Sequence, residues 1–388
     1  MSTDPQTSAI AGASLAGAMA AETLREEGFD GRLVLIGAEP ERPYERPPLT
    51  KDHLRSESPR EKAYVHPEAF YGEQDIELIT GTVVRGPRGE RPVKLLLGPR
   101  ELELRPGSPL LMGILNTAPD SFSDPGPRSA RELVGRGLEM AAAGAAIVDV
   151  GGESGRTDRA PVSVGEEIAR VAPVVERLAA DGVQVSVDTW RAPVARAALN
   201  AGAVMINDVS ALSAPELAEA CASAGAALVL THTRIPPKTK GFPAYREVVV
   251  EVRSLLAERA AEARRRGVVE ERIVLDPGLD LAKTPAQSVE LLRRLAELRS
   301  LGRPLLVAAS RKDFIGALTG RRPSERLAGT LAALDAAVEG GAAILRVHDV
   351  AEARDYLEVR AALRGERPVP TDARLDVALR REPGERVA

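Results

Sequence analysis

Residues 183–232 read VQVSVDTWRAPVARAALNAGAVMINDVSALSAPELAEACASAGAALVLTH, and this stretch decides the fold. Three short apolar runs, 183–187, 203–206 and 226–230, alternate with two Ala-rich segments of helical spacing, 191–201 and 214–224. Runs this short and continuously apolar suit strands buried on both faces, which means a parallel sheet covered by helices. The pattern repeats outward in both directions. Upstream lie apolar runs at 110–115 and 145–150, and downstream at 272–275, 304–308 and 343–347. The segments 129–143, 164–181, 244–267, 284–301, 324–340 and 349–364 carry helical spacing. Eight strand–helix units over roughly 255 residues predict a (β/α)8 TIM barrel. An open doubly wound sheet is the alternative. The count of eight, and the lack of an early phosphate-binding Gly loop in this piece, count against it.

The remainder of the chain sets the context. It has 388 residues, 44% hydrophobic and 28% charged, an ordinary globular composition. With 52 Lys and Arg against 56 Asp and Glu the net charge is −4, so no global basic field suits nucleic acid. The lone Cys221 can form no internal disulfide and no Cys-based zinc cage, which fits a reducing, cytoplasmic setting. It lies among Ala residues and reads as packing. No stretch approaches the roughly 18 apolar residues of a membrane span. The apolar segment 9–21 lacks a basic leader and runs into Glu22, Arg25, Glu26 and Glu27, so it reads as a buried turn and helix start rather than an export signal. Turn formers and charges at 86–92 mark a linker between a piece at 1–85 and the barrel at 93–365. The charged, Pro-rich tail 366–388 reads as flexible.

A barrel places its chemistry just after its strands, at the C-terminal mouth. The residues there are Asn116; Asp149 and Glu153; Asp188; Asn207 and Asp208; His232; Asp276; Ser310, Arg311 and Lys312; and Arg346 and His348. Any one of them can be a loop polar group or a helix cap, and Asp149 in particular reads as a brace of its strand end. Eight in register point to a common site. Carboxylates and an amide at Asp188, Asn207 and Asp276 can read the N–H groups of a nitrogen heterocycle. Lys312 can donate to a ring carbonyl. Arg346 and His348 follow the last strand, on the side where barrels often bind phosphate. Asn116, their neighbour once the barrel closes, offers an amide oxygen for a Mg²⁺ bridging phosphate oxygens. Together these predict a planar, donor-rich substrate with a phosphate-type leaving group.

The motifs are similar to those of a known family. Met112-Gly113-Ile114-Leu115-Asn116-Thr117-Ala118-Pro119-Asp120-Ser121-Phe122-Ser123-Asp124 resembles the first motif of the dihydropteroate synthase family, and Asp149-Val150-Gly151-Gly152-Glu153-Ser154 resembles the second. Ser186-Val187-Asp188-Thr189, Ile206-Asn207-Asp208, Leu275-Asp276-Pro277-Gly278, Ser310-Arg311-Lys312 and Arg346-Val347-His348-Asp349-Val350 follow in the family's order. The likeness spans about 93–364, roughly 70% of the chain. It implies a folate-pathway transferase that joins a dihydropterin diphosphate to 4-aminobenzoate and releases diphosphate. By that likeness Asp188, Asn207, Asp276 and Lys312 hold the pterin, while Asn116, Arg346 and His348 hold Mg²⁺ and diphosphate. Asp188, Lys312 and Arg346 stand nearest the chemistry. Phe122, Arg156 and Ser310 lie on the aminobenzoate side, on or beside loops that close over the site. Members of the family are commonly homodimers. The chain also departs from the family pattern, with Gly155 for a threonine, Thr233 for a methionine, and Asp280 and Leu281 for a glycine and an aromatic. These departures support a second reading, a weak or inactive paralogue that acts as a pterin-binding module.

The small piece carries a different likeness. Gly12-Ala13-Ser14-Leu15-Ala16-Gly17 is a G-x-S-x-x-G turn, and Glu39 follows Gly12 by 27 residues. With the stretch Ala38-Glu39-Pro40-Glu41-Arg42-Pro43-Tyr44-Glu45-Arg46-Pro47-Pro48-Leu49-Thr50-Lys51 it resembles the start of an FAD-dependent ferredoxin reductase. That likeness would turn Gly12, Gly17, Glu39, Arg46 and Lys51 toward a flavin nucleotide. It stops near Val84, and one βαβ unit is less than a dinucleotide site needs. The expectation is therefore an incomplete, vestigial Rossmann-like fragment without stable FAD binding. A flavin oxidoreductase, the third reading, predicts a yellow protein.

Overall fold

The computed structural model describes residues 7–44, 60–82, 92–105, 107–118, 129–154, 157 and 160–375. The chain divides into two compact units, Met1–Glu90 and Arg91–Ala388. The expected linker, apart from Pro92, lies outside the described residues, as do Phe122, Arg156, Gly155, Arg46 and Lys51.

The first unit is a three-stranded parallel sheet in the order β1-β2-β3, with β1 at Thr7–Ala11, β2 at Arg32–Ile36 and β3 at Ile76–Ile79. A helix at Leu15–Glu26 crosses from β1 to β2 and buries Ala18 and Ala21 against Leu33 and Leu35. The expected turn is present. A Cβ on Gly17 would stand 1.9 Å from the Gly12 carbonyl oxygen, so only glycine allows the helix to start so close to the strand. The third strand was not foreseen. Arg25 ties it in by donating to the carbonyls of Gln74 and Asp75.

The second unit holds an eight-stranded parallel sheet in the order β11-β10-β9-β8-β7-β6-β13-β12. Its strands are β6 (Leu110–Asn116), β7 (Ile147–Gly151), β8 (Val185–Asp188), β9 (Met205–Asp208), β10 (Ala227–Thr231), β11 (Ile273–Asp276), β12 (Leu306–Val307) and β13 (Ile344–Val347). A parallel bridge between Leu275 and Leu305 joins the two ends into a ring. Helices connect successive strands, and several start on side-chain caps. Ser129 and Glu132 form a reciprocal box ahead of Ala130–Ala142, and Thr284 and Gln287 do the same ahead of Pro285–Arg293. Six of the eight strands run one or two residues past their apolar runs. Four of these strands close on a polar residue that alternation turns into the cylinder, Asn116, Asp188, Thr231 and Asp276, while β7 closes on Gly151 and the Asp208 that ends β9 turns out.

Alternation along the strands sorts the core into two sets. Val148, Val150, Val185, Val187, Leu228, Leu230 and Leu345 pack outward against the helices. Met112, Ile147, Met205, Val229, Val274, Leu306 and Ile344 fill the cylinder. An antiparallel hairpin absent from the sequence expectation, β4 (Val93–Leu97) and β5 (Arg100–Leu104), adds Leu95, Leu97 and Leu104 to that inner set. Arg272, at the start of β11, donates to the carbonyls of Leu96 and Gly98, so the hairpin stops the N-terminal end of the barrel. The interior is packed from below, and only the C-terminal end is left for chemistry.

Candidate functional site

The site begins one step above the apolar layer. Two residues up from Ile147 stands Asp149, from Met205 Asn207, from Val229 Thr231, from Val274 Asp276, and from Ile344 Arg346. Period two therefore carries each strand from an apolar to a polar inward position within the same cylinder.

Arg346 ties this layer together from β13. Its Nε donates to Asp149 Oδ2 at 2.7 Å and its terminal nitrogen to Asp188 Oδ2 at 2.9 Å. Asn207 Nδ2 donates to the same Asp149 oxygen at 3.0 Å. Asp149 is fully buried and so needs both partners. Its grip also orients the Asn207 amide. The donor end is held, and the acceptor Oδ1 is buried with no partner among the described residues. Asp276 accepts the Gly278 N–H through Oδ1 at 2.7 Å. Burial pushes the Asp188 carboxyl up to about 7, against the pull of Arg346 and with a further push from Asp149. Burial also raises Asp276, while the Gly278 N–H bond and the Lys312 and Arg346 cations pull it back.

Asn116 ends β6 opposite Gly151 in register. A Cβ on Gly151 would lie 3.5 Å from Asn116 Oδ1 and 3.8 Å from the Asp188 Cβ, so the three positions adjoin. On the other side, His348 Nδ1 lies 3.0 Å from Ser310 Oγ, and the His348 backbone N–H also donates to that oxygen. With the Ser310 hydroxyl donating to Nδ1, the ring proton sits on Nε2. Burial and the Arg311, Arg346 and Lys312 cations push the His348 imidazole down to about 3, so it is neutral at pH 7. Arg311 holds this loop by pairing with Asp349 at the start of the last helix, Val350–Leu363.

The expected residues Asn116, Asp188, Asn207, Asp276, Ser310, Lys312, Arg346 and His348 thus come together at one mouth. Two others turn away. Asp208 folds onto the N–H groups of Ser210 and Leu212, and His232 points outward to Tyr245 and Lys283. Lys283 went unnoticed in the sequence, where nothing marks it beyond its place in a motif. It is buried and sits within 3.3 Å of the carbonyls of His232, Gly278 and Leu281 and of His232 Nδ1. Its burial lowers the ammonium to about 7. The turn it gathers presents Asp276. At Gly278, with φ +68°, a Cβ would fall 2.0 Å from the His232 carbonyl oxygen. A second unnoticed brace is Glu167, also buried, which takes Thr189 Oγ and Arg191, while Arg191 reaches Glu153 at 3.0 Å.

Two of the departures, Thr233 and Asp280, make local hydrogen bonds. Thr233 bonds the carbonyl of Ile235. Asp280 has φ 61°, and its carboxylate takes Ser288 Oγ and the Phe314 N–H at the start of the helix Asp313–Thr319, which Lys312 precedes. Burial pushes the Cys221 thiol up to about 12, as befits packing. In the small unit the Glu39 carboxylate accepts the Tyr44 hydroxyl. Among the described residues no group of three His, Cys, Asp or Glu is placed to hold a metal, and no helix is long and apolar enough to cross a membrane.

Comparison with known proteins matches this geometry. A family model for pterin binding enzymes matches residues 112–348. A dihydropteroate synthase of Synechocystis is 43% identical over 258 residues, covering 65% of this chain and 89% of that protein. Among solved structures, the Xanthomonas albilineans dihydropteroate synthase with 4-aminobenzoic acid superposes with a TM-score of 0.66 at 43% identity, covering 72% of this chain and all of that one. The same enzyme in complex with 7,8-dihydropteroate gives a TM-score of 0.63 at 42% identity, covering 71% and 100%. With its barrel, its motif order and its convergent mouth, the chain belongs to the pterin-binding enzyme family of the dihydropteroate synthases.

Proposed function

We infer that the chain is a dihydropteroate synthase, a transferase that joins 4-aminobenzoate to the methylene carbon of a dihydropterin diphosphate. The observation that carries this reading is the acceptor set. Asp149 holds the Asn207 amide by its donor end, so Asn207 Oδ1 stands with Asp188 and Asp276 as acceptors around one slot. A pterin edge is rich in N–H donors, and carboxylates and an amide oxygen answer it. Lys312 supplies the donor for the ring carbonyl. Arg346 and the Nε2–H of His348 face the diphosphate, with Asn116 beside them.

The bond between the methylene carbon and the diphosphate oxygen breaks first, and its electron pair leaves with the diphosphate. Arg346 stabilises that leaving charge. The carbocation spreads into the pterin, flanked by the Asp188 carboxylate. The amine nitrogen of 4-aminobenzoate then attacks the methylene and loses its proton. Phe122, Arg156 and Ser310 belong to the aminobenzoate side in this reading, with the Ser310 hydroxyl directed onto His348.

Mg²⁺ fits the donor set. It keeps most of its waters, binds through one or two protein oxygens plus substrate phosphates, and needs no cage of carboxylates. Asn116 would hold it through Oδ1, in the space that the missing Gly151 side chain leaves. When bound, the ion would neutralise charge on the diphosphate. The small unit is read as a vestigial nucleotide-binding fragment that lends nothing to this chemistry.

The test is product formation. Purified protein given the pterin diphosphate, Mg²⁺ and labelled 4-aminobenzoate should place the label in 7,8-dihydropteroate. Pterin binding without labelled product would favour the binding-module reading instead.

A further inference from the structure

Most buried hydroxyls among the described residues of this barrel are partnered, Ser186, Thr231 and Tyr245 excepted. Thr189 donates to Glu167, Ser210 to Asp208, Ser288 to Asp280 and Thr233 to the Ile235 carbonyl. Thr231 is an exception. It ends β10, is 1% exposed, and its Oγ has no partner among the described residues. Its direction follows from its neighbours. Leu228 and Leu230 belong to the outer set and Val229 to the inner one, so Thr231 faces into the cylinder. Its height follows from register. Thr231 pairs with Asp276 across β10–β11, and Val229 pairs with Asn207 across β9–β10. The hydroxyl therefore stands level with one acceptor and one step above the other. Ser186 Oγ is also unpaired, but it pairs in register with Met205, down in the apolar layer.

A buried hydroxyl without a partner is a cost that an apolar residue of the same shape would not carry. Valine would fill this strand position equally well, so the hydroxyl needs a use in another state of the protein. We propose that Thr231 is a specificity-determining residue of the pterin pocket: its hydroxyl takes a polar edge atom of the bound heterocycle between the groups read by Asn207 and Asp276. This rests on the synthase reading of the site and adds a reader to it. A hydroxyl both donates and accepts, so it serves a ring nitrogen and an amino group alike.

The experiment compares the full chain with Thr231→Val and Thr231→Ser. Titration calorimetry with 6-hydroxymethylpterin reads affinity, and thermal melting of the free protein reads stability. Thr231→Val should melt at or above the wild-type temperature and bind about tenfold more weakly. Thr231→Ser, which keeps the hydroxyl, should bind within about threefold of wild type. Wild-type affinity in Thr231→Val would overturn the proposal, as would equal weakening in both variants. A wild-type protein that binds no pterin would instead overturn the underlying reading, and the proposal with it.

Discussion

Asp188 meets solvent on one side and Arg346 on the other, with its side chain 24% exposed. Asp188→Asn removes the charge and one acceptor, each worth about 1.5–3 kcal/mol in a charge-assisted bond. The pterin Kd should then rise by at least about 100-fold in calorimetry. The same carboxyl predicts a pH profile. Its folded value, about 7, lies above its unfolded one, so its protonated form is the stable one below that pH. Acceptance of two N–H groups needs the carboxylate. Pterin affinity should therefore fall as pH drops below about 7 and level off above it, and Asp188→Asn should flatten the curve. By the same sign, this group adds stability to the free protein at low pH that is lost as pH rises from about 4 through about 7. Asp188, Asn207 and Asp276 were legible in the sequence because each closes an apolar run. In the sequence Asp149 reads as a mouth residue or a brace of its own strand end; its carboxylate instead holds Asn207 and Arg346 on other strands. That Arg346 would cross the cylinder to bond it, from 197 residues away, is a fact of barrel closure and not of spacing. Lys283 was hidden for the same reason, since its partner His232 is 51 residues distant.

At the scale of elements, period and length gave all eight strands, but six of the apolar runs ended one or two residues too early. Asn116, Asp188, Thr231 and Asp276 close their ladders as polar residues where the interior turns wet. The hairpin β4–β5 was missed although Leu95 and Leu97 alternate toward Gly98, and Leu102 and Leu104 alternate away from it. Its Lys and Glu on the other face resemble a linker in composition. The helix Asp313–Thr319, only 7 residues long, lies outside the segments of helical spacing. It depends on Asp280, whose carboxylate receives the Phe314 N–H. Asp280→Ala loses that bond and keeps the left-handed φ, so it should cost about 2 kcal/mol in denaturant unfolding. Asp280→Gly loses the bond and relieves the backbone, so it should cost less than about 1 kcal/mol. Equal losses in the two variants would show that backbone strain at this turn has no weight.

For the whole molecule, the two units have separate sheets and separate apolar clusters. Removal of residues 1–90 should leave the barrel melting within a few degrees of its temperature in the full chain, with turnover unchanged. Loss of the folded barrel would make the small unit structural. The full-length protein should also be colourless, and a flavin absorbance band would revive a nucleotide role for the Gly12–Gly17 turn. The site, by contrast, belongs to no single segment. All eight strands contribute to one mouth, and the hairpin stops the other end. The most direct test of that convergence is release of diphosphate from 6-hydroxymethyl-7,8-dihydropterin diphosphate, followed with and without 4-aminobenzoate. The account predicts rapid release in the presence of the amine, which traps the cation and draws the reaction forward, and loss of that release in Arg346→Ala. No release above background from the folded wild-type protein, with pterin bound, would contradict it.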